Sequence, residues 1–67
     1  MKEVRTMQFV DAESKQDALT VVRVGKGVVG LSVSIADAGD VEVFLTLDDC
    51  RSLVAAIAEA LQLASTL

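Results

Sequence analysis

Residues 25–36 read GKGVVGLSVSIA. Gly25, Gly27 and Gly30 stand at the G-x-G-x-x-G spacing of a dinucleotide-binding loop, and Asp48 and Asp49 follow near the distance of a ribose-binding acid. Such a loop works when it opens a helix whose N-terminus receives the pyrophosphate. Here Val29, Leu31, Val33 and Ile35 alternate with Gly30, Ser32, Ser34 and Ala36. A period of two marks a strand with one buried face, and a helix would scatter the same four residues around its circumference. A Walker A loop is excluded because Lys26 is followed by Gly27 rather than Ser or Thr. A kinase glycine loop is excluded by length and by the lack of its catalytic segments. The glycines therefore read as a hairpin turn and one strand glycine, with no nucleotide site and no cofactor.

Working outward, residues 3–10 predict a first strand, with Met7 and Phe9 on one side and Val4, Thr6, Gln8 and Val10 on the other. Residues 11–17, DAESKQD, predict a polar loop with room for one helical turn. Residues 18–24, with Thr20, Val21, Val22 and Val24, predict a second strand. Residues 28–36 and 40–46 predict the third and fourth. If Asp37, Ala38 and Gly39 make a three-residue loop with Gly39 left-handed, Ile35 faces Val41, Val33 faces Val43 and Leu31 faces Leu45. Ser32 then meets Phe44, with Gly30 diagonal to the ring. In the first hairpin, a two-residue type II′ turn at Gly25-Lys26 puts Val22 and Val24 on the core face and Leu19, Val21 and Arg23 outside. A three-residue loop inverts that assignment. The first arrangement is preferred because an unpaired arginine in a core is costly.

The last segment, TLDDCRSLVAAIAEALQLASTL (residues 46–67), predicts a helix. Thr46 is placed as N-cap with Asp49 three residues on, and Asp48 and Asp49 suit the positive end of the helix dipole. Cys50, Leu53, Val54, Ile57, Leu61 and Ala64 form a core stripe at helical spacing. Arg51, Glu59, Gln62 and Thr66 make a narrow polar stripe, while Ala56, Ala60 and Leu63 widen the apolar surface. The expected fold is one α+β domain over residues 1–67, an antiparallel four-stranded β-meander followed by one amphipathic helix.

Composition narrows the function classes. Hydrophobic residues make up 52% of the 67, only Phe9 and Phe44 are aromatic, and the formal charge is −4. The N-terminal MKEVRTMQF lacks the apolar core of a signal peptide, no apolar run approaches a membrane span, and Cys50 is the sole cysteine. A cytoplasmic setting without membrane insertion is the expectation. With no histidine, neither a zinc site nor a base for Cys50 is at hand. No catalytic residue is assigned.

A domain of this size is marginal alone, and it has no disulfide or metal to support it. Apolar residues on both sheet faces and on a second helix flank therefore predict self-association, as a dimer in the first instance. The expected interface holds Leu19, Val21, Val28 and Phe44 on the outer sheet face, and Ala56, Ala60 and Leu63 on the helix. Another protein as partner is equally compatible with that surface.

Four strands leading into a capped helix, with VEVFLTLDDCRSLVAAI (residues 41–57) at the junction, resemble the PC4-like transcriptional coactivators and their bacterial relatives over residues 19–63. The resemblance implies a small dimer that binds single-stranded DNA. It would grip the nucleic acid with Arg5, Arg23 and Lys26 and stack a base on Phe44. Two readings follow: a non-enzymatic, self-associating interaction module, or a single-stranded nucleic-acid binder. A positive stripe of Arg5, Arg23 and Lys26 on one sheet face would favour the second.

Overall fold

The computed structural model describes residues 1–67. Strands β1 (Lys2–Val10), β2 (Asp17–Gly25), β3 (Val28–Ile35) and β4 (Gly39–Thr46) form one antiparallel sheet in the order β1-β2-β3-β4, and helix α1 (Leu47–Ala64) follows. This is the expected ββββα fold. Thr20, Val33 and Val41 align across the sheet, as do Val22, Leu31 and Val43, and Val24, Val29 and Leu45. These rows make one face apolar. The other face aligns Leu19, Ser34 and Asp40, then Val21, Ser32 and Glu42, then Arg23, Gly30 and Phe44. Because side chains alternate along each strand, Met7 and Phe9, opposite Thr20 and Ala18, extend the apolar face onto β1. A register shift between Glu3 and Arg5 marks a bulge at Val4, which twists this edge strand and blunts it against stray pairing.

Both hairpins keep the expected faces but pair two residues away from the expected register. Ile35 pairs with Gly39 rather than Val41, Val33 with Val41, and Leu31 with Val43. Consequently Ser32 faces Glu42, and Gly30 lies directly opposite Phe44. The turn chemistry is as expected: the Ala38 N–H donates to the Ile35 carbonyl at 3.1 Å, and Gly39 is left-handed at φ 80. Gly39, however, already belongs to the ladder. In the first hairpin Gly25 pairs with Val28, leaving Lys26 and Gly27 as the loop. The positive φ falls on Gly27, at 71, not on Gly25. That is the sign pattern of a type II turn, with glycine second, rather than type II′. A displacement of two leaves every side chain on its own face, so the hydrophobic pattern does not distinguish these registers and turn geometry selects one.

Gly27→Ala is expected to destabilise the fold by about 1 kcal/mol or more, because alanine resists the left-handed region. Lys26→Ala, at the exposed tip, should stay within about 0.5 kcal/mol of the parent. Chemical denaturation of the two variants checks the difference, and equal effects would contradict the turn.

Residues 11–16 close the β1–β2 hairpin around Asp11. Its Oδ2 accepts the N–H groups of Ser14 at 2.7 Å and Glu13 at 3.3 Å, and its carbonyl accepts the Lys15 N–H at 2.9 Å. The Ser14 backbone bond, then the Ser14 hydroxyl, hold the Asp11 carboxyl below the usual 3.8 against a smaller opposing effect of desolvation. A carboxyl that is more acidic when folded stabilises fully above its unfolded value, and loses that contribution as pH falls through the lowered one. The stability difference between the parent and Asp11→Ala should therefore shrink as pH is taken from about 5 to about 2. Denaturation midpoints across that range test it, and a gap that widens on acidification would contradict the arrangement.

Helix α1 begins where β4 ends. Thr46 is the last strand residue and also the N-cap, its Oγ1 accepting the Asp49 N–H at 3.1 Å. Connections between elements commonly use two to six residues; here none is left to swing the helix back over the sheet. It approaches only β3 and β4. The expected core stripe is accordingly not a core within this chain, since α1 contains no buried residue. Cys50 and Leu53 are half-buried near the helix start. Farther along, Ile57 is 59% and Leu61 68% exposed.

Candidate interaction surface

Only Ala18, Val21 and Gly30 are buried in the chain. The accessible surface is 5371 Å². A folded monomer of this mass, 7.1 kDa, has roughly 4,100 Å² by the usual size scaling. The excess is about 1,300 Å². The Cα radius of gyration, 13.3 Å, likewise exceeds the roughly 11 Å of a compact domain this long.

Much of the exposed surface is apolar, and it lies on one sheet face and on the helix. On the apolar sheet face Met7, Phe9, Val24, Val33, Val41 and Val43 are exposed, Val41 to 62%. On the helix, Val54, Ile57, Leu61 and Leu63 are exposed as well. The two surfaces meet at a groove of about 390 Å³, where Val29 of the apolar face lies near Leu47, Cys50, Arg51, Val54, Ala55 and Ala58. One open apolar surface thus runs from the sheet across the groove onto the helix.

The expected interface residues divide between two locations. Ala56, Ala60 and Leu63 are exposed on the helix. Leu19, Val21, Val28 and Phe44 lie on the other sheet face, where Val21 is 8% exposed, Leu19 and Val28 are half-buried and Phe44 is 58% exposed. Gly30 leaves space there: a Cβ at its position would stand 3.4 Å from the Phe44 ring and 3.2 Å from the Met1 methyl. This second face is polar at its centre. Arg23 Nη1 donates to Glu42 Oε2 at 2.7 Å and to Ser32 Oγ at 3.1 Å, and the Ser32 hydroxyl donates to Glu42 at 2.9 Å. Cross-strand pairs of this kind fix register more than they add stability, contributing about 0–1 kcal/mol when solvent-accessible. The residues that sequence reasoning passed over as interface candidates are Val33, Val41 and Val43; the signal that could have found them is that Thr46 both ends the fourth strand and caps the helix, which leaves no linker to bring the helix over them.

The cations expected to grip nucleic acid are dispersed. Arg5 pairs opposite Val22 on the apolar face, Arg23 is engaged by Glu42 on the polar face, and Lys26 occupies the hairpin tip. Cys50 is a free thiol beside the groove. No helix is long and apolar enough to cross a membrane. Compared with known proteins, the chain matches no family model, no curated protein and no solved structure.

Proposed function

We propose that this chain is a non-enzymatic protein-interaction module whose working form is a dimer of itself. The observation that carries the reading is the open apolar surface, on a chain whose total accessible surface exceeds that of a folded monomer of this mass by about 1,300 Å². Two copies burying that excess would share about 2,600 Å², within the range of obligate dimers. The dispersal of Arg5, Arg23 and Lys26 favours this reading over single-stranded nucleic acid, because phosphate binding needs cations along one track. Net charge points the same way, at −4. Of the residues expected at the interface, the geometry supports Ala56, Ala60 and Leu63 on the helix more than Leu19, Val21, Val28 and Phe44. The helix trio belongs to the continuous apolar surface, and the sheet quartet surrounds a solvated ion pair.

Sedimentation at micromolar concentration tests the proposal. The expected species has twice the chain mass, and a folded species that stays near 7.1 kDa at every concentration overturns it. A second arm titrates labelled single-stranded oligonucleotide at low salt. Tight binding that weakens in Arg5→Ala and Lys26→Ala would move the assignment to nucleic acid.

A further inference from the structure

We infer that the two copies are joined reciprocally, the helix of each lying on the apolar sheet face of its partner; this rests on the self-association proposed above. Four observations carry it. First, α1 starts directly at Thr46, the last residue of β4, so it has no loop with which to cover its own sheet. Second, dimensions match. The 18-residue helix is about 27 Å long, and an eight-residue strand such as β3 spans about 26 Å. Third, the apolar arc of α1 includes Ala56, Ala60 and Leu63 as well as Leu53, Ile57 and Leu61. That is broader than the narrow seam by which two helices pair, and it suits a sheet.

The fourth observation is charge. Lys2 and Arg5 lie at the β1 margin of the apolar face, and neither forms a salt bridge within the chain. The helix carries Asp48, Asp49 and Glu59 against the single cation Arg51. A helix laid on the partner's sheet brings acids towards unpaired cations, whereas helix against helix brings acids together. A two-fold axis makes both contacts at once, because whatever one copy's helix does to the other's sheet is returned.

Cross-linking between marked chains distinguishes the arrangements. In a Cys50→Ser background, one chain carries Val33→Cys on the sheet and a second, of different mass, carries Ile57→Cys on the helix. Thr20→Cys and Leu61→Cys serve as replacements if sedimentation shows that either variant no longer associates. The chains are mixed, allowed to exchange and treated with a short bismaleimide. The expected product is the sheet–helix heterodimer, formed at least tenfold more than either chain linked to itself. Sheet-to-sheet or helix-to-helix products in equal or greater yield overturn the reciprocal arrangement and leave self-association standing. So does the lack of any product from pairs that sediment as dimers. A parent protein that sediments as a monomer removes both proposals.

Discussion

Ile57→Glu is expected to raise the dissociation constant of the dimer at least 100-fold, and to leave the chain largely unfolded at micromolar concentration. Ile57 is 59% exposed in the single chain and occupies the middle of the helix stripe. In the proposed dimer it is covered by apolar side chains. A carboxylate there either loses its hydration without a partner or prevents the surfaces from closing, and each dimer holds two copies. A penalty of about 3 kcal/mol is modest for an unpaired buried charge, and corresponds to more than a factor of 100. Phe44→Glu is the informative contrast. Phe44 is equally exposed, at 58%, but sits on the face that carries Arg23 and Glu42. Its replacement should shift association less than tenfold. Sedimentation equilibrium with circular dichroism on the same samples reads both quantities. A larger effect at Phe44 than at Ile57 would place the interface on the polar face.

Tenfold dilution is expected to lower the melting temperature by about 5 °C, since each decade of concentration contributes about 1.4 kcal/mol per dimer, and two chains of this length unfold with an entropy of about 0.28 kcal/mol/K. The isolated chain has only three buried residues, and on the proposed reading a separated copy covers too little apolar surface to offset the conformational entropy of ordering it. Folding and association should then be a single transition. Thermal melts spanning two decades of concentration, all above the dissociation constant, should shift in proportion to the logarithm of concentration. A midpoint independent of concentration, with full cooperativity, would mean that the single chain is stable as it stands.

The elements and their faces were legible in the residues themselves. The alternation of Val29, Leu31, Val33 and Ile35 identified a strand where the glycine spacing suggested a phosphate loop, and Thr46 with Asp49 marked the helix start. These signals are local: a period of two, a capping hydroxyl, a left-handed glycine at a turn. Even Gly30 could be related to Phe44 without coordinates. Turn register was only partly legible, because a slip of two residues moves no side chain to the other face, and Ile35 meets Gly39 as acceptably as Val41.

The sequence by itself determined the order of elements, the apolar and polar faces of each, and a surplus of apolar surface that one chain of this size does not bury. Only the tertiary structure decided where that surplus lies. Sequence patterning placed a core between the helix stripe and the sheet face that carries Val33, Val41 and Val43, because amphipathic elements in one chain ordinarily cover each other. Periodicity specifies which side of an element is apolar, but not which other element covers it. That depends on chain path, and here the path leaves no residue between the end of β4 and the first turn of α1. The apolar sheet face and the helix stripe consequently remain open together, and the polar face, with Arg23 held by Glu42, is the one already suited to water.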